Sequence, residues 1–392
     1  MRKVYADHAA TTRVHPAVAE VMARVLTEDF GNPSSVHGFG RTARKHVEWA
    51  REQVARLIGA RPSEIFFTSG GTEADNWALR GAMEAARGRG RHLITTAIEH
   101  HAVLDCARQL EREGWEVTVL PVEPVTGFVR AEDLVSALRP DTVLVSVMLA
   151  NNEIGTIQDI AGLVAAVKAR RPDVVFHTDA VQAAGQIPVD VGALGVDLLS
   201  LSAHKIYGPK GVGALYVRKG VPFSPMLYGG GQERGHRPGT ENAAGIAGFG
   251  KAAELARLEL EARAEHARQL RDRFVAGVLE RIPGTYVNGP DPATHAARRT
   301  PGNASLSFEG VEAETLLMRL DMEGIACSAG SACTAGSVEP SHVLKAIGLP
   351  RARAAGTLRF SFGQDNTQED VDYMLEVLDR VVEAIRGIPV AE

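Results

Sequence analysis

The chain has 392 residues, of which 23% are charged, and a formal net charge of −5. There is no basic excess for direct binding of nucleic acid or an anionic membrane, and no apolar stretch as long as a signal peptide or a membrane span. The length suits two domains, and three cysteines are too few for a disulfide framework, so we expect a cytoplasmic protein.

Apolar strands alternate with amphipathic helices through the first two-thirds of the chain. In the helix expected over residues 41–58, Val47, Val54 and Leu57 share one face. Such alternation predicts an α/β fold with a mostly parallel sheet and crossover helices. Open sheets of this kind bind ligands at the carboxyl ends of their strands, so polar residues that follow strands are the candidate site residues.

The first such stretch is residues 64–76, where a strand is followed by a glycine turn and the start of a helix. Gly70 and Gly71 allow the backbone to approach an anion, and the amides that follow Thr72 favour a phosphate at the helix N-terminus. The pattern is neither a Walker loop nor a dinucleotide fingerprint. Taken alone, two such glycines are a weak signal and usually form only a turn.

Two further strands end in residues that suit a cofactor pocket. His100 follows the strand 92–96, and an imidazole there could stack on a flat ring and move protons. The apolar strand 143–150 runs into Asn151 and Asn152, either of which could bond a cofactor or substrate. A helix cap or a loop position explains each of them equally well.

The strands before Asp179 and Lys205 give the strongest chemical signal. A carboxylate at position 179 suits the pyridine nitrogen of a cofactor ring, and Gln182 suits a phenolate oxygen. A partly desolvated amine at position 205 can attack a carbonyl, and pyridoxal phosphate (PLP) requires such a lysine as its Schiff-base anchor. The alternatives are a helix cap for Asp179 and a solvated lysine after an edge strand for Lys205.

The last third of the chain predicts fewer regular elements. The charge-rich stretch 251–282 predicts one long helix that leads to a smaller domain, and residues 288–303 predict a loop. Arg359, in the strand 357–362, could bind a carboxylate through two hydrogen bonds. A surface position on that strand is the alternative.

The three cysteines lie in different surroundings. Cys333 lies within residues 330–337, all small, and such a run suits a loop that moves a thiol from one place to another. A structural cysteine is usually buried among large apolar residues, which Cys333 lacks in sequence. Cys327, after a short strand, is expected to be structural, and Cys106, in a helix, is expected to be buried.

Four motifs together resemble one enzyme family. They are Tyr-Ala-Asp-His-Ala-Ala-Thr-Thr (5–12), Gly-Asn-Pro-Ser-Ser (31–35), Ser-Ala-His-Lys-Ile-Tyr-Gly-Pro-Lys-Gly (202–211) and the cysteine loop within 325–345. In this order they resemble the cysteine desulfurases of the NifS/IscS type, which are class V aminotransferase-like enzymes of PLP fold-type I. The resemblance runs from about residue 4 to about residue 385.

The resemblance implies a fold-type I PLP-dependent transferase with a mostly parallel seven-stranded sheet, helices on both faces, and a smaller α+β domain. The large PLP-binding domain would span residues 15–260. Residues 1–14 and 261–392 would form the small domain, with the mobile cysteine loop at about 325–338.

It also implies a sulfurtransferase reaction in which L-cysteine becomes L-alanine. Lys205 would anchor PLP and remove the substrate α-proton, His100 would stack on the ring and act as acid and base, and Asp179 would support the ring nitrogen. The Cys333 thiolate would attack the substrate sulfur and become a persulfide, which is a reversible cap that can be passed on.

The binding residues are carried over in the same way. The cofactor phosphate would contact Gly71, Thr72, Ser202 and His204, with Thr240 supplied by the neighbouring subunit of a homodimer. Asn152, rather than Asn151, and Gln182 complete the expected cofactor contacts. Arg359 would hold the substrate carboxylate, assisted by Asn32.

The expected partners are L-cysteine, a second copy of the chain, and a sulfur acceptor such as an iron–sulfur scaffold or a tRNA-thiolation protein. We predict no resident metal, although Cys333 could ligate an iron–sulfur cluster transiently. Two features depart from the family pattern. His8 stands where asparagine is usual, and the chain ends short of the longer tail that docks the scaffold, which puts that docking mode in doubt.

Two other functions fit part of the pattern. A PLP β-lyase or selenocysteine lyase would share the cofactor residues but would not need the thiol of Cys333. A catalytically idle sulfur-carrier or scaffold-binding module would not need Lys205, Asp179 and Cys333 together, and it would be colourless when purified.

Overall fold

The computed structural model describes residues 2–329 and 341–387. Its largest sheet has seven strands in the order β2, β8, β7, β6, β5, β3 and β4. In chain order these are β2 (Ile65–Thr68), β3 (His92–Thr96), β4 (Glu116–Leu120), β5 (Thr142–Ser146), β6 (Val175–Asp179), β7 (Leu198–Ser202) and β8 (Gly213–Val217). Strands β7, β6, β5, β3 and β4 pair in parallel, and β8 runs antiparallel to β7 and β2. The predicted mostly parallel seven-stranded sheet is therefore confirmed.

Helices cover both faces of this sheet, because residues alternate between the faces along each strand. Phe66 and Leu198 pack into an apolar cluster with α3 (Gly71–Ala85) and α4 (His101–Arg112). Phe67 and Leu199 point the other way, into a cluster with helices that include α2 (Gly38–Leu57) and α6 (Ile160–Arg170). The helices α1 (Pro16–Thr27), α5 (Ala131–Ser136) and α7 (Val191–Leu194) complete this part of the chain.

The predicted long helix over 251–282 is wrong. The structure has α8 (Ala243–Leu258) and α9 (Leu260–Arg281), separated at Glu259, whose φ of −110° and ψ of 9° are not helical. No proline or glycine marks the break in the sequence, and the charge periodicity continues through it unchanged. It separates α8, which packs on α2, from α9, which packs in a second apolar cluster.

The second cluster includes residues from both ends of the chain, such as Val4 and Phe360. It surrounds a three-stranded sheet of β12 (Thr357–Ser361), β10 (Asn303–Phe308) and β9 (Thr285–Val287), and a two-stranded sheet of β1 (Val4–Tyr5) and β11 (Ile325–Ala326). The remaining helices are α10 (Ala313–Met322), α11 (His342–Ala346), α12 (Arg351–Ala355) and α13 (Gln368–Arg386). Strands β9 and β10 adjoin and enter the stretch that the sequence predicted as a loop.

The proposed domain bounds of 15–260, 1–14 and 261–392 stay a prediction. The placement of Val4 and Ala6 in the second cluster accords with them. In contrast, Val343, Leu344 and Ile347 pack in the core of the large sheet, although they lie within 261–392. In the two described stretches, no helix combines the length and the apolar character that a bilayer crossing requires.

Candidate active site

The carboxyl ends of the parallel strands open into a cavity of about 250 Å³. Ten of the predicted site residues line it, which brings together positions up to 288 residues apart in sequence. They are Gly71, Thr72, His100, Asn152, Asp179, Gln182, Ser202, His204, Lys205 and Arg359.

Lys205 reaches the cavity from a short 3₁₀ turn, Ala203–Lys205, directly after β7. Its Nζ donates hydrogen bonds to the carbonyls of Ala9 at 2.5 Å and Ala10 at 2.7 Å. The side chain is half-buried, so the amine is not the solvated group that the alternative interpretation required. The structure thus delivers one amine to the cavity from a buried strand.

Asp179 is the last residue of β6 and is buried at the floor of the cavity. Burial raises the pKa of its carboxyl to about 6, a change that the backbone amide of Val181 and the Lys205 ammonium oppose. That amide donates to Oδ1 at 2.8 Å, so the carboxylate does cap a local turn. The capping role and the cavity position coexist, and neither excludes the other.

His100 also has both of the roles considered for it. It is the N-cap of α4, where its Nδ1 accepts a hydrogen bond from the Ala102 amide at 3.1 Å. This acceptor role assigns the proton of the neutral ring to Nε2. Burial, followed by the charge of Lys205, lowers the pKa of His100 to about 4, so the ring is neutral at pH 7.

The phosphate-binding prediction rests on the start of α3. The first amides of a helix have no intrahelical acceptor, and Gly71 and Thr72 present this helix end to the cavity. A Cβ on Gly71 would lie 2.9 Å from Cγ2 of Val181, so the wall is closed to a side chain there. Ser202 and His204 line the same cavity, and His204 Nδ1 lies 3.1 Å from Thr11 Oγ1.

The structure places the two asparagines in different surroundings. Asn151 is buried, and its Oδ1 accepts from the amides of Glu153 and Ile154 at 2.8 and 2.9 Å, which is a structural role. Asn152 lines the cavity. Gln182 lines it as well, and its Nε2 donates to the Ala9 carbonyl at 2.9 Å.

Arg359 is 1% exposed, which excludes a surface position on β12. Its Nη2 pairs with Asp7 Oδ1 at 2.9 Å, and its Nη1 donates to the Asn152 carbonyl at 3.1 Å. The guanidinium therefore lies at the edge of the cavity with a carboxylate already on one of its nitrogens. The sequence predicted the arginine and missed this partner.

Two predicted residues, Asn32 and Thr240, do not line the cavity of this chain. Asn32 and Thr240 are exposed, and the Asn32 side chain accepts a hydrogen bond from the Ser34 amide at 2.9 Å. Cys333 lies outside the described residues. Of the other cysteines, Cys106 is buried in α4, and Cys327 is partly exposed and packs against the second cluster. Burial raises the pKa of both thiols, which suits the burial expected of Cys106 and the structural role expected of Cys327.

The sequence interpretation missed several acidic residues of the cavity. Asp75 is one helical turn after Gly71, a spacing that could have identified it. Its carboxyl is 1% exposed, and its Oδ1 lies 3.7 Å from Nε2 of His177. Burial, followed by the charge of Asp179, raises its pKa well above the usual value. Glu99 and Glu153 also line the cavity, and burial raises their pKa values too.

Two further imidazoles lie beside His100. The rings of His101 and His342 meet edge to face with centroids 4.8 Å apart, and His342 Nε2 lies 2.9 Å from the Glu99 carbonyl oxygen. Both rings line the cavity. No local pattern in the sequence could have placed His342 here, because it comes from α11, more than 200 residues after β3. The described residues contain no cluster of histidine, cysteine and acidic side chains that could hold a metal ion.

Comparison with known proteins gives one consistent result. The Aminotransferase class-V family matches residues 4–374. The cysteine desulfurase IscS of Dictyoglomus turgidum is 52% identical over 387 residues, which cover 99% of this chain and 96% of that protein. Among solved structures, a NifS-like protein superposes with a TM-score of 0.91 at 42% identity, covering 98% of this chain and all of that one. The structure of SspA in complex with cysteine superposes with a TM-score of 0.81 at 36% identity, covering 93% and 99% of the two chains.

Proposed function

The chain belongs to the class-V aminotransferase family and, within it, to the cysteine desulfurases, and we propose that its cavity converts L-cysteine to L-alanine and transfers the sulfur to Cys333. The observation that carries this proposal is the convergence of Lys205, Asp179, His100 and Arg359 on one cavity. One of the similar structures was solved with cysteine bound, which supports that substrate.

The residues of the cavity fit PLP, on which this family depends. The glycine-lined start of α3 leaves room for a phosphate where a side chain would collide with Val181. Asp179 lies deeper, where a carboxylate can meet the ring nitrogen, and Lys205 supplies the amine. When bound, PLP withdraws electrons from the substrate Cα and so makes the α-proton removable.

Lys205 would hold the cofactor and then accept the α-proton at Nζ. The carbonyls of Ala9 and Ala10 hold this nitrogen at a fixed place, which limits the directions from which it can approach the substrate. Asp179 needs a cation beside it to be fully ionised at neutral pH, because burial raises its pKa to about 6. A protonated ring nitrogen would be that cation.

His100 would contribute an uncharged ring with the Nε2 proton available. Because Nδ1 is engaged by the Ala102 amide, the imidazole keeps one orientation and one tautomer. A neutral imidazole is suited to stack on a flat ring and to give or take a proton at Nε2. Arg359 would bind the substrate carboxylate.

Cys333 would be the sulfur acceptor within the chain. Its thiolate attacks Sγ of L-cysteine, so that a bond between the two sulfur atoms forms while the substrate Cβ–Sγ bond breaks. The electron pair of the broken bond stays with the carbon, which is protonated and leaves as L-alanine. One thiol and one L-cysteine give one persulfide and one L-alanine, so no external oxidant or reductant is needed.

The test incubates the PLP-loaded chain with L-cysteine and a thiol reductant and measures sulfide, alanine and pyruvate. We expect equal amounts of sulfide and alanine, lost in Cys333→Ala and kept in the matched control Cys327→Ala. Pyruvate with ammonia, or desulfuration that survives Cys333→Ala, would assign the chain to the lyases instead. A colourless protein that takes up no PLP would favour the idle module.

We also propose that the enzyme works as a homodimer and passes its sulfur to an iron–sulfur scaffold or a tRNA-thiolation protein. Thr240 is exposed in this chain, as expected of a residue that completes the phosphate site of a neighbouring subunit. Light scattering gives the oligomeric state. In mixed dimers of wild-type and Lys205→Ala chains, only the wild-type chain can anchor PLP through Lys205. Adding Thr240→Ala to the Lys205→Ala chain should lower PLP retention by its partner, and adding it to the wild-type chain should not.

A further inference from the structure

The opening segment, residues 5–11, touches two groups of the active site that lie far apart in sequence. Its Ala9 and Ala10 carbonyls hold Lys205 Nζ, and its Asp7 carboxylate holds Arg359. The hydroxyl of Tyr5 closes the segment on itself by donating to the carbonyls of Asp7 at 3.1 Å and Thr11 at 2.9 Å. One short segment of the chain therefore sets the separation between the Lys205 amine and the Arg359 guanidinium.

Asp7 uses both of its oxygens. Oδ1 accepts from Arg359 Nη2 at 2.9 Å, and Oδ2 accepts from the Ser328 hydroxyl at 2.8 Å. The backbones of Ser328 and Arg359 are also joined, with N–O distances of 3.1 and 2.7 Å. The carboxylate is thereby fixed between two adjoining strand segments, and its own backbone forms a bridge to Ser361.

A guanidinium as buried as that of Arg359 needs a negative charge beside it. Asp7 supplies that charge at hydrogen-bond distance, with a side chain that is 15% exposed. Glu153 also faces the arginine, but its carboxyl accepts a hydrogen bond from Ser341, and burial raises its pKa. Asp7 is the carboxylate that pairs directly with Arg359 among the residues that the structure describes.

The remaining donors of Arg359 are constrained by this pairing. Nη1 donates to the Asn152 carbonyl at 3.1 Å, and Nε is buried with no hydrogen-bond partner in the described chain. The plane of the guanidinium is thus set by one contact on each terminal nitrogen. A substrate carboxylate must use the donors that this orientation leaves at the cavity.

We propose that Asp7 is a positioning residue for substrate recognition: it holds the Arg359 guanidinium at a fixed separation from Lys205, so that the substrate carboxylate is bound while the α-proton lies within reach of Lys205 Nζ. This inference rests on the proposed role of Arg359 in binding the substrate carboxylate. It gives the opening segment a function in substrate binding, in addition to its contacts with Lys205.

The test measures binding of two sulfur-free amines, which cannot be desulfurated, to the PLP-loaded enzyme from the change in cofactor absorbance. L-alanine carries a carboxylate, and ethylamine does not. We expect Asp7→Ala to weaken L-alanine binding about tenfold or more and to leave ethylamine binding within about twofold. The KM for L-cysteine should rise in parallel, and kcat should change less than about threefold.

Two milder variants keep the proposal testable if Asp7→Ala does not fold. Asp7→Asn keeps an oxygen that can accept from Arg359 but removes the charge, so it should weaken L-alanine binding less than Asp7→Ala does. Ser328→Ala removes one anchor of the carboxylate and should have an intermediate effect. Asp372→Ala breaks an exposed ion pair with Arg273 and serves as the matched control, which should bind both amines as wild type does.

The outcomes distinguish a failure of the role proposed for Arg359 from a failure of the role proposed for Asp7. If Arg359→Lys leaves L-alanine binding unchanged, the proposed role of Arg359 fails. If Arg359→Lys weakens binding and Asp7→Ala does not, the role of Arg359 stands and the positioning role of Asp7 is wrong. Tighter L-alanine binding in Asp7→Ala would mean that Asp7 competes with the substrate, and this too would overturn the proposal.

Discussion

Replacing Glu99 with glutamine is expected to remove a pH-dependent loss of stability from the protein. Glu99 is fully buried, and its Oε1 accepts hydrogen bonds from the Thr96 hydroxyl at 2.6 Å and the Met148 amide at 3.0 Å. Its Oε2 has no hydrogen-bond partner among the described residues. Burial raises the pKa of this carboxyl to about 8, and the two hydrogen bonds only partly oppose the change.

The sign and size of the effect follow from the two pKa values. The folded state holds the proton of Glu99 more tightly than the unfolded state does, whose value lies near 4.5. The stability that the protonated group permits is therefore complete below about pH 4.5 and is lost as the pH rises towards 8. Between about pH 5 and pH 7.5 the loss amounts to about 3 kcal/mol. Glutamine has the size and charge of the protonated acid, so Glu99→Gln should not lose stability over this pH range through this side chain.

Urea unfolding of the cofactor-free chains, followed by tryptophan fluorescence, measures this difference. A bound ring would change the surroundings of Glu99, so the cofactor is removed from all samples. The stability of Glu99→Gln relative to wild type should increase by about 3 kcal/mol from about pH 5 to pH 7.5. Glu111→Gln, an exposed change on the neighbouring helix α4, should show no such trend. A relative stability that is constant over this range would refute the reasoning, because the buried carboxylate would then be compensated.

Three further experiments test other parts of the structure. Asp179→Asn should lower kcat/KM about a hundredfold or more, because the ring nitrogen loses its anionic partner. Asp75→Asn should change it less than about threefold, because burial and the charge of Asp179 raise the pKa of Asp75 and so favour its neutral form; steady-state kinetics compares the two. Glu233→Gln should cost about 3–5 kcal/mol in urea unfolding, because it removes the buried carboxylate whose oxygens lie 2.8 Å from the terminal nitrogens of Arg51 and leaves this buried guanidinium with the exposed carboxylate of Glu48 at 3.4 Å. Replacing both Arg51 and Glu233 with methionine should recover most of the loss. Gly71→Ala should weaken PLP binding about tenfold, measured by titration of the cofactor-free chain, and unchanged binding would contradict the close approach assigned to this turn.

The site could be predicted from sequence wherever its residues follow strands. Asp179 ends β6 and Lys205 follows β7, and parallel neighbours place their carboxyl ends at one edge of a sheet. The order of strands in the sheet is not needed for this inference, since any order brings the ends to the same edge. The seven-stranded sheet was expected from the family resemblance, and the structure confirms it.

The break at Glu259 shows where helical periodicity fails as a predictor. Charged residues on both sides of the break keep a helical spacing, and the side chains themselves tolerate either conformation. What separates α8 from α9 is that each packs on a different apolar cluster. Tertiary packing of this kind leaves no local signal in the sequence.

Arg359 illustrates the corresponding limit for the site. Its position between Leu358 and Phe360 in an apolar strand suggested either a surface residue or a ligand for a carboxylate, and the sequence alone could not decide. Burial decides it, because a guanidinium that is 1% exposed must have a charge partner. That partner, Asp7, is 352 residues away along the chain. A buried charge in a sequence thus requires that a partner exist, but only the packing of distant segments determines which residue it is, and with it the direction in which the cation can bind a substrate.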